Sequence, residues 1–250
     1  MQNSNFSFVE DTEDLSQSFS KSLTTKTKKI KKLSDKPNEK EKEKKKLEES
    51  FQTYRKKLFT DFQSEIMKWT NLTKFTHKAT FMKEEITREK IMKQIVGHKN
   101  IIILFITTSM CSFGVFESRE IPEPKETLLD RLIATKNARI FANGYGNHFI
   151  FSLDNYQCIP FIMNKKEENM RSGDFLGVFR ENNQFALDIK EFGVLDQNGN
   201  FGVRTFDEIS TVYDSGKING LDDFFGPEIH YNDRDFTQIE LDSIMIYEGN

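Results

Sequence analysis

The stretch NIIILFITTSMCSFGVFESR, Asn100 to Arg119, constrains the fold more than any other part of the chain. Its apolar run, Ile101 to Ile106, is far too short to cross a bilayer, which takes roughly 20 residues. Its length and β-branching instead predict a strand buried on both faces. Thr107 to Ser112 supply a polar turn and Phe113 to Phe116 restart the extended pattern, so a hairpin is expected. The hairpin announces a β-rich domain without saying what that domain does.

Ahead of it, helix formers run from Pro37 to about Lys68. Proline suits a first helical turn, and Glu39, Glu41 and Glu43 lie near the positive end of the helix dipole. Leu47, Phe51, Tyr54, Leu58, Phe62, Ile66 and Trp69 recur at steps of four and three, one apolar stripe along a long helix. The stripe fits either a coiled-coil seam for self-association through residues 36-68 or packing of its C-terminal half on the following domain. Lys74 to Met82 reads as a first strand. Thr87 is an N-cap candidate for a short helix through Val96 that buries Ile91, Met92, Ile95 and Val96, and Gly97 ends it.

Beyond the hairpin, IPEPKET (Ile121 to Thr127) breaks the chain, and Leu128, Leu129, Leu132 and Ile133 fit a short helix. ARIFANGYGN is expected to be a loop, with Asn143-Gly144 and Gly146 as turn formers. HFIFSL (His148 to Leu153) and IPFIM (Ile159 to Met163) read as a second hairpin across Asp154-Asn155. FLGVF, QFALDI, EFGVLD and NFGVR follow as strands, with Gln197-Asn198-Gly199 the clearest hairpin turn in the chain. Thr205 to Phe224 reads as irregular. The last strand, within Phe236 to Tyr247, carries Ile239, Leu241, Ile244 and Ile246.

Charge is unevenly divided. Residues 1–100 hold 23 Lys+Arg against 15 Asp+Glu, and residues 101–250 hold 13 against 24. A basic appendage on an acidic domain is the natural reading. Residues 1–35 are too poor in apolar side chains to offset chain entropy, so a disordered tail is expected there. Its Thr25 to Lys32 cluster fits a solvated tail, or a nuclear-import, nucleic-acid or anionic-lipid patch. No aromatic interleaving marks a nucleic-acid groove, and no nucleic-acid partner is expected. The polar, acidic start of the chain lacks the pattern of a secretory signal, so a cytoplasmic location is expected.

Catalytic constellations are not apparent. His77, His98, His148 and His230 stand in no recognisable spacing with a nucleophile, and no G-x-S-x-G elbow occurs. Cys111 and Cys158 read as reduced thiols, inert if buried and redox-sensitive if exposed. No C-x-x-C or H-x-x-x-H suggests a metal. DQNGN (Asp196 to Asn200) begins like a calcium loop, but Phe201 stands where that loop demands glycine, and a turn is the better reading. No phosphate-binding glycine pattern is present, and Gly144-Tyr145-Gly146 reads as a tight loop. No catalytic, cofactor or metal residue is therefore assigned, the binding residues are unknown, and no enzyme activity is expected.

Taken in order, NIIILFIT, FGVFES (Phe113 to Ser118), HFIFSL, EFGVLD (Glu191 to Asp196), FFGPEIHYN and FTQIELDSIMIYE resemble the TLDc domain, the module named for its occurrence beside TBC and LysM domains. The resemblance covers about Trp69 to Asn250. The chain has NNQFALDIKE where that family commonly carries a glycine run. The resemblance implies an α+β, mainly β fold: a two-sheet antiparallel β-sandwich flanked by short helices, here preceded by a long charged helix. The implied organisation is a tail over 1-35, a helix over 36-68 and a TLDc-like domain over 69-250. The family has no established catalytic residues. Its members are associated with oxidative-stress resistance, and several bind peripheral vacuolar proton-ATPase subunits. At least one binds phosphoinositides through a basic pocket, which no residues here match. The expectation is a non-enzymatic adaptor, with anionic-lipid contact through Lys26 to Lys32 and Lys40 to Lys46 as the alternative. A thiol-dependent antioxidant resting on Cys111 and Cys158 is a third reading.

Overall fold

The computed structural model describes residues 37–109, 111–124, 139–142, 146–153, 159–162, 175–179, 184–213, 220–225 and 237–250. The expected tail (1–35, with its basic cluster), the helix at Leu128 to Ile133, the turns at Asn143-Gly144 and Asp154-Asn155, Cys158 and His230 lie outside the described residues. So do the side chains of Leu47, Phe51, Tyr54 and Phe62, on which the expected coiled-coil seam depends. The chain divides into two compact units, Met1–Leu58 and Phe59–Asn250.

The elements run α1 (Pro37–Thr70), β1 (Phe75–Met82), a 3₁₀ turn (Lys83–Glu85), α2 (Arg88–Ile95), β2 (Ile101–Thr107), β3 (Ser112–Glu117), β4 (Arg139–Phe141), β5 (His148–Ser152) and β6 (Ile159–Ile162). They continue with β7 (Leu176–Phe179), β8 (Phe185–Ile189), β9 (Gly193–Asp196), β10 (Asn200–Val203), α3 (Phe206–Val212), α4 (Leu221–Phe225) and β11 (Thr237–Gly249). The fold is mostly β. The strands form one antiparallel ladder in the order β4-β7-β8-β9-β10-β11-β2-β3-β5-β6, and β1 adds to β11. Every residue of β2 and of β3 is buried, as the apolar run demanded.

β11 joins the two arms of the ladder. Thr237 to Glu240 pair with β10, whereas Leu241 to Glu248 pair with β2 and Ser243 to Gly249 with β1. The register shifts between Leu241 and Ser243, the signature of a β-bulge. An extra residue would turn the following side chains to the opposite face. The apolar residues compensate, since Ile239 and Leu241 precede the shift, Ile244 and Ile246 follow it, and all of them enter the main core. The sequence steps of two, three and two therefore encode the bulge.

Phenylalanine fills that core. The Phe113 ring on β3 lies 5.0 Å from Phe105 on β2, 5.1 Å from Phe201 on β10 and 4.8 Å from Phe225 on α4. Phe192, just before β9, is 5.8 Å away. Such edge-on and offset packings add roughly 0.5–1.5 kcal/mol per pair beyond area burial. The C-terminal turns of α1 also belong to the β-rich unit: Phe59 stacks on Tyr247 at 3.6 Å, Ile66 is fully buried, and Trp69 meets Phe149 edge-on at 5.9 Å.

Local chemistry accounts for the short helices. The Thr87 hydroxyl accepts from the Lys90 backbone N–H at 3.3 Å, capping α2, and Gly97 leaves it at φ 75°. Val96 is half-buried rather than part of the fully buried face. Thr205 to Phe224, expected to be irregular, instead contains α3 and α4. For α3 the reason is a capping box: the Thr205 hydroxyl accepts from the Glu208 N–H, and the Glu208 carboxylate accepts from the Thr205 N–H. ARIFANGYGN also departs from expectation, because Arg139 to Phe141 form strand β4 against β7. Tertiary pairing overrides the weak local signal of three residues. Finally, EFGVLD begins as a turn: Glu191 sits at φ 49°, and the strand starts only at Gly193.

Candidate functional site

Charged residues collect at one end of this apolar frame. Glu117, Arg119, His148, Asp188 and Lys190 are each at most 8 % exposed. They come from the end of β3 and the bend after it, the start of β5, and the end of β8 and the turn after it. Burying charges this deeply is costly unless they are paired.

Glu117 and Arg119 meet that requirement with each other. The Glu117 carboxylate accepts from the Arg119 backbone N–H at 2.9 Å, from Nε at 2.8 Å and from Nη2 at 2.6 Å. The last two bonds use different oxygens, so the pair is bidentate. Gly146 makes room for it: a Cβ there would lie 2.6 Å from Arg119 Cγ and 2.6 Å from Ser118 Oγ. The backbone of Ser118 donates to the Asn147 carbonyl at 3.1 Å, and Asn147 Nδ2 donates to the Trp69 carbonyl at 2.9 Å. The end of α1 is thereby tied to the same loop.

His148 faces Glu117 in the β3–β5 register, and its ring stacks on Phe175 at 4.7 Å. Burial, reinforced by the Arg119 and Lys190 cations, lowers its pKa to about 4. The imidazole is therefore neutral at neutral pH. Lys190 donates its backbone N–H to the Phe175 carbonyl at 2.9 Å, and its own carbonyl accepts from the Tyr213 hydroxyl at 2.6 Å. Burial, then the Asp188 and Glu191 carboxylates, push the Tyr213 phenol well above its ordinary range. At neutral pH His148 is a neutral neighbour of the Arg119 and Lys190 cations, and it gains a proton in acid.

A second polar group lies nearer the surface. The β1 register shifts between His77 and Ala79, and Lys78 there reaches the Glu248 carboxylate at 2.9 Å. His98 Nδ1 also lies 2.9 Å from that carboxylate. The Lys78 hydrogen bond leads the interactions that lower the Glu248 pKa.

The residues singled out in the sequence fall apart in space. His148 lies in the buried cluster, His98 in the surface group, and His77 is exposed, bonded to Thr80 at 2.8 Å. Cys111 is a half-buried thiol in the β2–β3 turn, 3.7 Å from Ser109 Oγ. Asp196 spends its carboxylate on the turn it begins, accepting from the Asn198 and Asn200 N–H groups at 2.8 Å each. Among the described residues no group of three or more His, Cys, Asp or Glu is arranged to hold a metal ion. Sequence reasoning missed Glu117, Arg119, Asp188 and Lys190. The available signal was a charge beside a strand whose neighbours are apolar on both faces. Compared with known proteins, the chain matches no family model and no curated sequence.

Proposed function

We propose that the chain is a non-enzymatic adaptor of the TLDc type, acting through the surface of its β-rich unit on a protein partner. The observation that carries this reading is the pairing of two resemblance motifs. FGVFES supplies β3 and HFIFSL supplies β5, adjacent strands, with Gly114 opposite Phe151. A Cβ on Gly114 would lie 2.5 Å from the Phe151 ring, so the FG of one motif makes room for the aromatic residue of the other. NIIILFIT supplies the next strand, β2.

On this reading the two arms of the ladder are the layers of an antiparallel β-sandwich sharing β11. The contacts of Phe113 on one arm with Phe192 and Phe201 on the other support it. The proposed organisation is a basic tail over 1–35, a charged helix over 36–68 and the adaptor domain over 69–250. Charge separates along similar lines: Met1–Leu58 holds 15 Lys+Arg against 10 Asp+Glu, and Phe59–Asn250 holds 21 against 29. The proposed location is the cytoplasm. Among the described residues, no helix is long and apolar enough to cross a membrane.

Peripheral vacuolar proton-ATPase subunits are the partner to test first. Purified full chain, titrated onto purified subunits, is expected to bind with saturation, and charge reversals on the β-rich unit should weaken that binding. Absence of binding at tens of micromolar would remove this partner. The charge division favours a second reading, anionic-lipid contact through Lys26 to Lys32 and Lys40 to Lys46. That reading requires vesicle binding that falls steeply as salt rises.

A further inference from the structure

We propose that His148 is an acid-sensitive latch between the two arms of the ladder, holding the Phe175 end of β7 against β5 until its imidazole gains a proton. This goes beyond the adaptor reading and does not depend on it. The ring belongs to one arm, and Phe175, on which it stacks at 4.7 Å, directly precedes β7 in the other. His148 is 8 % exposed and Phe175 fully buried, so the closed packing leaves little room for water around the imidazole.

Among the described residues, the charged groups that act on the ring come from both arms. From its own arm, Arg119 lies close enough to repel a protonated ring, and Glu117, the residue opposite in register, is engaged by Arg119 through three hydrogen bonds. From the other arm come Lys190, the second repelling cation, and Asp188, buried two residues before it on β8. Tyr213 closes that side with its hydroxyl on the Lys190 carbonyl. A proton on His148 thus places a further positive charge beside two cations, and Glu117, its partner in register, is already engaged by one of them. Opening the Phe175 segment to water relieves that cost. Acid then favours the open form, because only the open form takes the proton readily.

The Phe175 end of β7 is held to β8 by the Lys190 N–H, which donates to the Phe175 carbonyl at 2.9 Å, and this bond within the arm loosens as that end lifts from β5 into water. Amide hydrogen exchange on the full chain between pH 7 and 4.5, corrected for intrinsic rates, reads it. Protection at Lys190 should fall by up to about tenfold per pH unit below roughly pH 6.5. Protection at Leu104, in the centre of β2, should fall less. His148→Asn should flatten the Lys190 profile, and Lys190→Met should make its own position 190 amide less pH-dependent by removing one repelling charge. A flat wild-type profile, or an equal fall in the His148→Asn variant, overturns the latch. Should that variant not fold, the imidazole signal of His148 in the folded wild-type chain decides. Titration near pH 6.5 overturns the proposal, and titration well below pH 6 supports it.

Discussion

The centre of the ladder and its charged end are both buried, yet they are held together by different physics. Around Phe113 the stabilisation is area and close packing, with Phe105, Phe201 and Phe225 rings within 5.1 Å. Around Glu117 it is directional, with a bidentate pair, a stacked imidazole and a tyrosine bonded to a carbonyl. Packing energy varies little with pH, whereas burial of titratable groups makes stability depend on it. The first region gives the fold its stability. The second makes it conditional.

Breaking the apolar centre should cost most. Phe113→Ala removes the ring that touches both arms and should destabilise by about 4–5 kcal/mol in denaturant titration. A loss under about 2 kcal/mol would mean the surrounding rings collapse into the gap. Arg119→Met strands the Glu117 carboxylate and should cost about 3–4 kcal/mol, while Glu117→Leu combined with Arg119→Met should recover most of that loss. Recovery would separate the value of the pair from the penalty of breaking it, a contrast the apolar centre cannot show.

The pH dependence sharpens the comparison next. His148 has a pKa of about 4 in the folded chain against an ordinary value of 6.5. The unfolded chain therefore binds the proton first as pH falls. His148's contribution is fully present above about pH 6.5 and is lost progressively toward pH 4, up to about 3 kcal/mol. Between about pH 6.5 and pH 4 the denaturant midpoint of His148→Asn should fall less steeply with pH than that of wild type. The smallest effect belongs to a local cap: Thr205→Ala should cost about 1 kcal/mol. Its first sign should be faster exchange at the Ile209 N–H, which donates to the Thr205 carbonyl at 3.1 Å.

Strand identity was largely legible because it rests on local pattern. β2 and β3 follow from the apolar run and its polar turn, and β9 and β10 from Gly199, which sits at φ 80° in their connection. The β4 strand was not legible, since Arg139 to Phe141 become a strand only by pairing with Phe179 to Gly177. α3 was legible in principle through Thr205 and Glu208, a capping signal overlooked among irregular-looking neighbours. The charged end could not be located from spacing. Glu117 and Lys190 lie 73 positions apart in sequence, and no local periodicity links them.

By itself the sequence determined which segments are extended and buried, because alternation, β-branching and turn residues act over a few neighbours. It also encoded the β11 bulge, in the changed step between Leu241 and Ile244. Only the tertiary structure decided the order of the strands, the covering of Gly114 by Phe151, and the meeting of His148 with Phe175. Those depend on long-range pairing, where the free energy comes from surfaces that touch only after the chain has folded.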